Sequence, residues 1–456
     1  MKIVVCVRQG LDGEINPFDA CAYETALCQQ NAEVILLSMG PQTVSDFLIK
    51  LTRLGAKRAI LLCDKQFAGA DTLATAYTLS KAIDKLKPDL VLCGRQTLVG
   101  DTGQVGPMIA VMQDINIITN AMSVSVSGNN VCCNTRDEGE KTSPLPALLT
   151  VERINTLRLP SLRSKTAECE VWSAQDIDAD ISKCGLIGSP TRVLKTFENR
   201  SGKRKCRFIT RDMLGMVIDD AMNQSPVNDS DIVSDTKLKK VFTVGEAPIE
   251  YAKSISDDIK VLPFDSPCKL AETISKEKPS AVIWASDTVS KRLSSQVAAM
   301  LDLGLCADCT KLETDGDKMI MYRPALSGSI IAKIESLTKP AMATVRTVNT
   351  DMADIAVAAG YGVKDCIDKV KVFADSLGAD LLTSRKMVDN DVLPYDVQVG
   401  LTGKSVSPKV YIAIGISGAV HHIAGMQRSG TVIAINPDKN APIFDYADFG
   451  IVEEFG

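Results

Sequence analysis

Histidine is nearly absent from this chain of 456 residues. There are two, His421 and His422, side by side in the stretch GISGAVHH. A zinc site built on the one CxxC, Cys306 and Cys309 in GLCADCT, needs a second ligand pair, and no nearby histidine or further CxxC supplies one. The fourteen cysteines are thinly spread, several inside apolar runs, as buried reduced thiols are. No metal is expected. An excess of positive charge is also missing. The net charge is −5, and without a basic face a general nucleic-acid binder is excluded. Long apolar runs are lacking too: none approaches the roughly 18 uncharged residues of a membrane span. The opening MKIVVCVRQG lacks the apolar core and cleavage site of a signal peptide. The expectation is a cytoplasmic protein.

What is present is an alternation of short apolar strands and helical segments. KIVVCV, EVILLSMG, AILLC and DLVLCG read as strands, with ACAYETALCQQ, VSDFLIKLTRLGA and TLATAYTLSKAIDKL as helices between them. Such order means a mostly parallel sheet covered by helices. A chain this long exceeds one core, which stops growing at about 250–300 residues. Residues 1–195 form the first domain, ending in an extended arm at about 151–195. Residues 196–238 read as a polar linker with one short helix at MLGMVIDDAM. A second α/β pattern occupies 239–350, and a third 351–456. The fold class is α/β, with two doubly wound parallel-sheet domains followed by a further α/β domain.

Three segments carry chemistry. In the last domain the strand KVYIAIG enters a helix through Ile416, Ser417 and Gly418, and glycine lets a ligand approach the backbone closely. A helix N-terminus there can hold a phosphate or a negatively charged oxygen, and a cationic His422 would add to that field. The bland alternative is that Gly415 and Gly418 only permit close helix–strand packing. Ahead of it, QVGLTGKSVSP offers Gly400, Thr402, Gly403, Lys404, Ser405 and Ser407, suited to a polar heterocycle or a ribityl chain, or else an ordinary turn. TSR places Arg385 at a strand end, over a ring face or in a surface ion pair. In the first domain, CGRQTLVGDTGQVGP forms a glycine-broken turn before a helix that Pro107 can open, and INPFD faces the same crevice.

These segments resemble the electron transfer flavoproteins, with the two usual subunits fused. KIVVCVRQ, INPFDACAYETAL, DLVLCGRQTLVGDTGQVGP and PSLR match the beta subunit over residues 1–195. KPAMATVR, PYDVQVGLTGKSVSPKVYIAIGISGAVHH and AINPDKNAPIFDYADFGIV match the alpha subunit over 239–456. The resemblance implies an FAD in the last domain. Arg385 would stack on the isoalloxazine with Ser384 beside it. Thr402 would approach N5 within the backbone of Val399, Gly400 and Leu401. Ser417, Gly418, Ala419, Val420, His421 and His422 would line the C2 carbonyl and pyrophosphate side. Within that run His422 matches the family histidine at N1–C2=O, where a positive donor raises the one-electron potential, whereas His421 stands where glutamine is usual. Asn436 would read the adenosine end. Tyr361 stands where the family often has an arginine directed at the phosphates.

In the beta-like half the resemblance implies a second nucleotide, either FAD or AMP. It would be framed by Cys6, Asn16, Phe18, Gly94, Gly100, Asp101, Thr102, Gly103, Gln104 and Val105. The family hairpin before NPF is shortened to GLDGEI, and Val99 replaces an acidic residue. The implied function is electron transfer between a dehydrogenase or NADH and a flavoenzyme, an acyl-CoA dehydrogenase being the type expected. The alternative is a flavin-based electron-bifurcating, NADH-dependent oxidoreductase with two FADs, using ferredoxin or flavodoxin. The arm RLPSLRSK resembles the segment that the family uses to recognise partners.

Overall fold

Strands that are apolar at every position need cover on both faces. The computed structural model of the chain describes all residues except 11, 98, 199–202, 224–235, 327–329, 348–351 and 401–402. It falls into two units. The first comprises Met1–Thr196, Ser234–Leu326 and Ala332–Val345; the second comprises Phe197–Val233, Ser327–Ile331 and Arg346–Gly456.

The first unit contains a nine-stranded sheet. Its central strands, Ala147–Val151, Leu90–Gly94, Lys2–Cys6, Glu33–Met39 and Arg58–Leu62, are parallel in that order. Successive side chains point to opposite faces. Ile3 and Val5 therefore meet helices Pro17–Leu27 and Val44–Thr52, while Val4 faces helices Thr72–Leu86 and Val105–Met112. A five-stranded parallel sheet, ordered Ile259–Leu262, Val241–Val244, Ala281–Ala285, Ala341–Val345 and Leu305–Cys309, shares that second core through Phe242, Val282 and Trp284. The beta-like and alpha-like patterns of the sequence thus meet in one hydrophobic layer. Strands Asn116–Ser127, Asn130–Thr135 and Gly139–Pro144 add an antiparallel meander to one edge of the large sheet. The other edge is Cys169–Trp172, parallel to Arg58–Leu62. Between Glu152 and that edge strand the arm has no regular structure.

The second unit is a six-stranded parallel sheet ordered Arg207–Phe208, Phe449–Ile451, Thr431–Ile435, Val410–Ile414, Ile355–Ala359 and Asp380–Thr383. The chain runs from Ile355–Ala359 to the edge strand Asp380–Thr383 and then back to Val410–Ile414, on the other side. The strand order therefore reverses between Ile355–Ala359 and Val410–Ile414. Ligands of open α/β sheets bind in the crevice at such a point, beyond the carboxyl ends of the strands. Within the stretch expected as a linker, 196–238, the short helix expected at MLGMVIDDAM is present, and the described residues also contribute to the second unit's sheet and core. Arg207–Phe208 is an edge strand. Helix Leu214–Asn223 buries Leu214, Val217, Ile218 and Ala221 against Val357, Ile412 and Ile433. Its apolar residues recur at i, i+3, i+4 and i+7, the spacing of one helix face.

Candidate functional site

In the second unit the segments at the strand ends converge on the reversal point. Ser384 caps helix Arg385–Asp389, and its N–H donates to Ala359 O at 3.0 Å. The Arg385 guanidinium pairs with Asp389 at 3.4 Å. It also lies close enough to His421 to add to the effect of burial in lowering that residue's pKa. The Val399 N–H donates to Thr383 O at 2.9 Å, and Gly400 N–H to Lys404 O at 3.1 Å. Gly400 has φ 141°, and a Cβ there would lie 2.7 Å from His421 O. A Cβ on Gly425 would lie 2.4 Å from Gly400 N. Glycine at both positions is what lets the loop rest on helix Val420–Met426. Leu401 and Thr402 lie outside the described residues.

The GISG turn is held from behind. Gly418 has φ 91°, with Ile443 N only 2.1 Å from where its Cβ would be, and Ser417 O accepts from that N–H at 3.1 Å. Asn436 donates through Nδ2 to Ile416 O at 2.9 Å and accepts from Asp438 N–H at 2.9 Å. The first contact holds the GISG turn, and the second closes the local turn from Asn436 to Asp438. Ala419 precedes the helix and accepts from His422 N–H, with Val420 opening the helix.

His422 is only 5% exposed. Its Nε2 hydrogen-bonds the Tyr411 hydroxyl at 2.8 Å, while Nδ1 is buried with no hydrogen-bond partner. Burial pushes its pKa down to about 4, opposed by the Val399 backbone, which lies near the ring without reaching hydrogen-bond geometry. The imidazole is therefore neutral near pH 7, where the sequence reading has it cationic. The difference arises from burial, which disfavours the charged form of the ring. Nothing in the sequence around His422 signals Tyr411.

In the first unit, Cys6 and Cys93 face each other at the ends of paired strands. The Cys93 thiol is pushed well up, by its hydrogen bond to Cys6 and by burial. Phe18 is buried, and Asn16 donates to Gln96 O at 3.0 Å. Gly94 is required by packing, since a Cβ there would lie 2.3 Å from Asp19 Oδ1. Asp19 is raised to about 7 by burial, against the opposing effect of the Arg8 N–H, which donates to it at 2.8 Å. In the turn, Asp101 has φ 54° and Gly103 φ 66°. Gln96 donates to Asp101, and Arg323 Nη2 donates to Gly100 O at 2.7 Å. Thr102 Oγ1 lies 3.5 Å from Gln104 N, and Val105 begins the helix. Gln104 accepts from Thr72 at 2.8 Å, but its buried Nε2 has no partner. Thr72 and Arg323 escape the sequence reading because they come from separate segments, and Gln96, inside the quoted turn, because nothing in the sequence shows that it folds back on Asp101. Among the described residues no group of three or more His, Cys, Asp or Glu could hold a metal, and no helix is long and apolar enough to cross a membrane.

Two family models match the chain. The electron transfer flavoprotein domain matches residues 3–177 and 269–364, and the electron transfer flavoprotein FAD-binding domain matches 349–427. Protein FixA of Azorhizobium caulinodans is 40% identical over 223 residues, 44% of this chain and 79% of that protein. The beta subunit of the electron transfer flavoprotein of Clostridium acetobutylicum is 39% identical over 201 residues, 42% of this chain and 78% of the subunit. The alpha subunit from Thermoanaerobacterium thermosaccharolyticum is 35% identical over 229 residues, 40% of this chain and 69% of the subunit. The chain belongs to the electron transfer flavoprotein family, with beta-like and alpha-like portions in one polypeptide.

Proposed function

We propose that the chain carries electrons from a flavin dehydrogenase, of acyl-CoA type, to a second flavoenzyme through FAD held at the reversal point of the six-stranded sheet. The observation that carries this reading is the buried Nδ1 of His422, left without a partner beside a backbone that only glycine allows to come so close. A buried polar atom without a partner is costly, and a ring carbonyl would satisfy it. FAD, when bound, supplies acceptance and release of electrons. The chain's own residues then have separate tasks. Arg385 and Ser384 flank the ring from one strand end, and Val399 and Gly400 approach it with backbone. His422 directs a neutral N–H donor at it, with Tyr411 fixing the imidazole. Ser417, Gly418, Ala419 and Val420 follow the chain toward the phosphates, and Asn436 holds their turn in shape. His421, beside Arg385, adds to the rim.

A second nucleotide, FAD or AMP, is proposed at the turn 100–105 of the first unit, where the unpartnered Gln104 Nε2 would find an acceptor. Cys6, Asn16, Phe18 and Gly94 would frame the same nucleotide. A second FAD that NADH reduces favours the other reading, an NADH-dependent bifurcating oxidoreductase that also reduces ferredoxin or flavodoxin, whereas two FADs without reduction by NADH leave the carrier, with its donor site lost in the shortened N-terminal region. Nucleotide content per chain, with absorbance before and after NADH, separates the readings. We expect two flavins. Bleaching by NADH would establish the bifurcating type. One FAD with AMP and no response to NADH would leave the simple carrier. A chain that binds no flavin would overturn both.

A further inference from the structure

Two ammonium groups converge on one aromatic ring at the reversal point of the second unit's sheet. Tyr361 follows strand Ile355–Ala359 through Gly360. Gly362 N–H donates to Gly415 O at 3.2 Å, and a Cβ on Gly360 would lie 2.1 Å from that same oxygen. The turn bearing Tyr361 therefore lies directly against the start of GISG. Lys386 Nζ is 4.1 Å from the Tyr361 ring centroid, and Lys364 Nζ is 4.8 Å from it. Lys364 also donates to the Tyr361 hydroxyl at 3.3 Å. Lys386 forms no ion pair among the described residues, whereas its neighbour Arg385 is paired with Asp389. Consecutive helix residues point about 100° apart. Arg385 accordingly lies near His421, and Lys386 reaches Tyr361 instead.

Exposed cation–π contacts are weak, and two like charges on one ring repel each other. An anion between them turns that repulsion into attraction. Lysine is a compact, mobile point charge suited to phosphate oxygens. We infer that Lys386, with Lys364, binds the phosphates of the dinucleotide. This inference rests on the placement of FAD proposed above. The Tyr361 ring holds both side chains at the crevice, and the sheet's reversal point supplies the path from the ring site to the phosphates.

The test titrates apoprotein with FAD and with riboflavin, which shares the ring but has no phosphate. The variants are Lys386→Gln and Lys386→Arg. Lys386 is exposed, so neither change should alter the melting temperature of the apoprotein. Lys386→Gln should weaken FAD binding about tenfold, the weight of one charge-assisted contact, and make it less sensitive to salt. Riboflavin binding should be unchanged, and Lys386→Arg should restore most of the FAD affinity. An FAD affinity within twofold of wild type with the same salt dependence would overturn the assignment, as would an equal loss for riboflavin. If the wild-type apoprotein itself bound no FAD, the FAD placement would fall first and this inference with it. Normal wild-type binding and an indifferent variant would remove only the phosphate role.

Discussion

At the scale of single residues, the position of His422 was readable and its charge was not. A histidine after a glycine turn suggests a cation beside a developing negative charge. The fold instead closes Tyr411 over one nitrogen and buries the other. The same burial makes a prediction about the apoprotein. His422 has a folded-state pKa of about 4 against an ordinary value of 6.5. Its contribution is complete above pH 6.5 and is lost as the pH falls toward 4, because the unfolded chain takes up the proton first. The loss is on the order of 3 kcal/mol at most. Denaturant melts of the apoprotein at pH 7 and pH 4.5 should show a smaller pH-dependent loss in His422→Asn than in wild type. Equal losses in the two proteins would mean that the imidazole is not held neutral.

At the scale of elements, the parallel strands were legible because each is an unbroken apolar run, and the helices because their stripes have one period. The meander at residues 116–144 was missed, although SVSV alternates, because Asn130–Thr135 and Gly139–Pro144 are short and polar and gain their partners only from the edge of the sheet. Inside the expected linker the short helix at MLGMVIDDAM was legible, but the packing of its stripe Leu214, Val217, Ile218 and Ala221 on the second unit's core was not, because the polar flanks give no sign of it. This helix therefore behaves as part of that core. Ile218→Asp places an unpaired charge in it and should cost roughly 3–5 kcal/mol. Thermal unfolding should begin earlier and FAD retention should fall. A melting curve like that of wild type would return the segment to the role of a connector.

At the scale of the molecule, the family resemblance was carried by long contiguous motifs, and the pairing of the two patterns in one core had no sequence signal. The partner-recognition role expected of the arm RLPSLRSK is open to test at this scale. Arg158 forms a bidentate contact with Glu24, its Nη2 lying 2.7 Å from Oε1, and Ala167 N–H donates to Thr52 at 2.9 Å. Both ends are thus tied to the first unit. Between them Leu159 is 90% exposed and Leu162 fully so. Two free leucines on an anchored loop contribute nothing to the core. Burying one against a partner is worth about 1.5–3 kcal/mol. Leu159→Ala should therefore leave folding and flavin content unchanged, yet lower kcat/KM for electron transfer from a reduced acyl-CoA dehydrogenase by about tenfold or more. The loss should appear mainly in KM, since the side chain touches the partner and not the flavin. Stopped-flow reduction of the bound FAD by that dehydrogenase gives the measurement. A rate equal to that of wild type would show that the leucines are not the docking contact, and would leave the arm as a strap tying two parts of the first unit together.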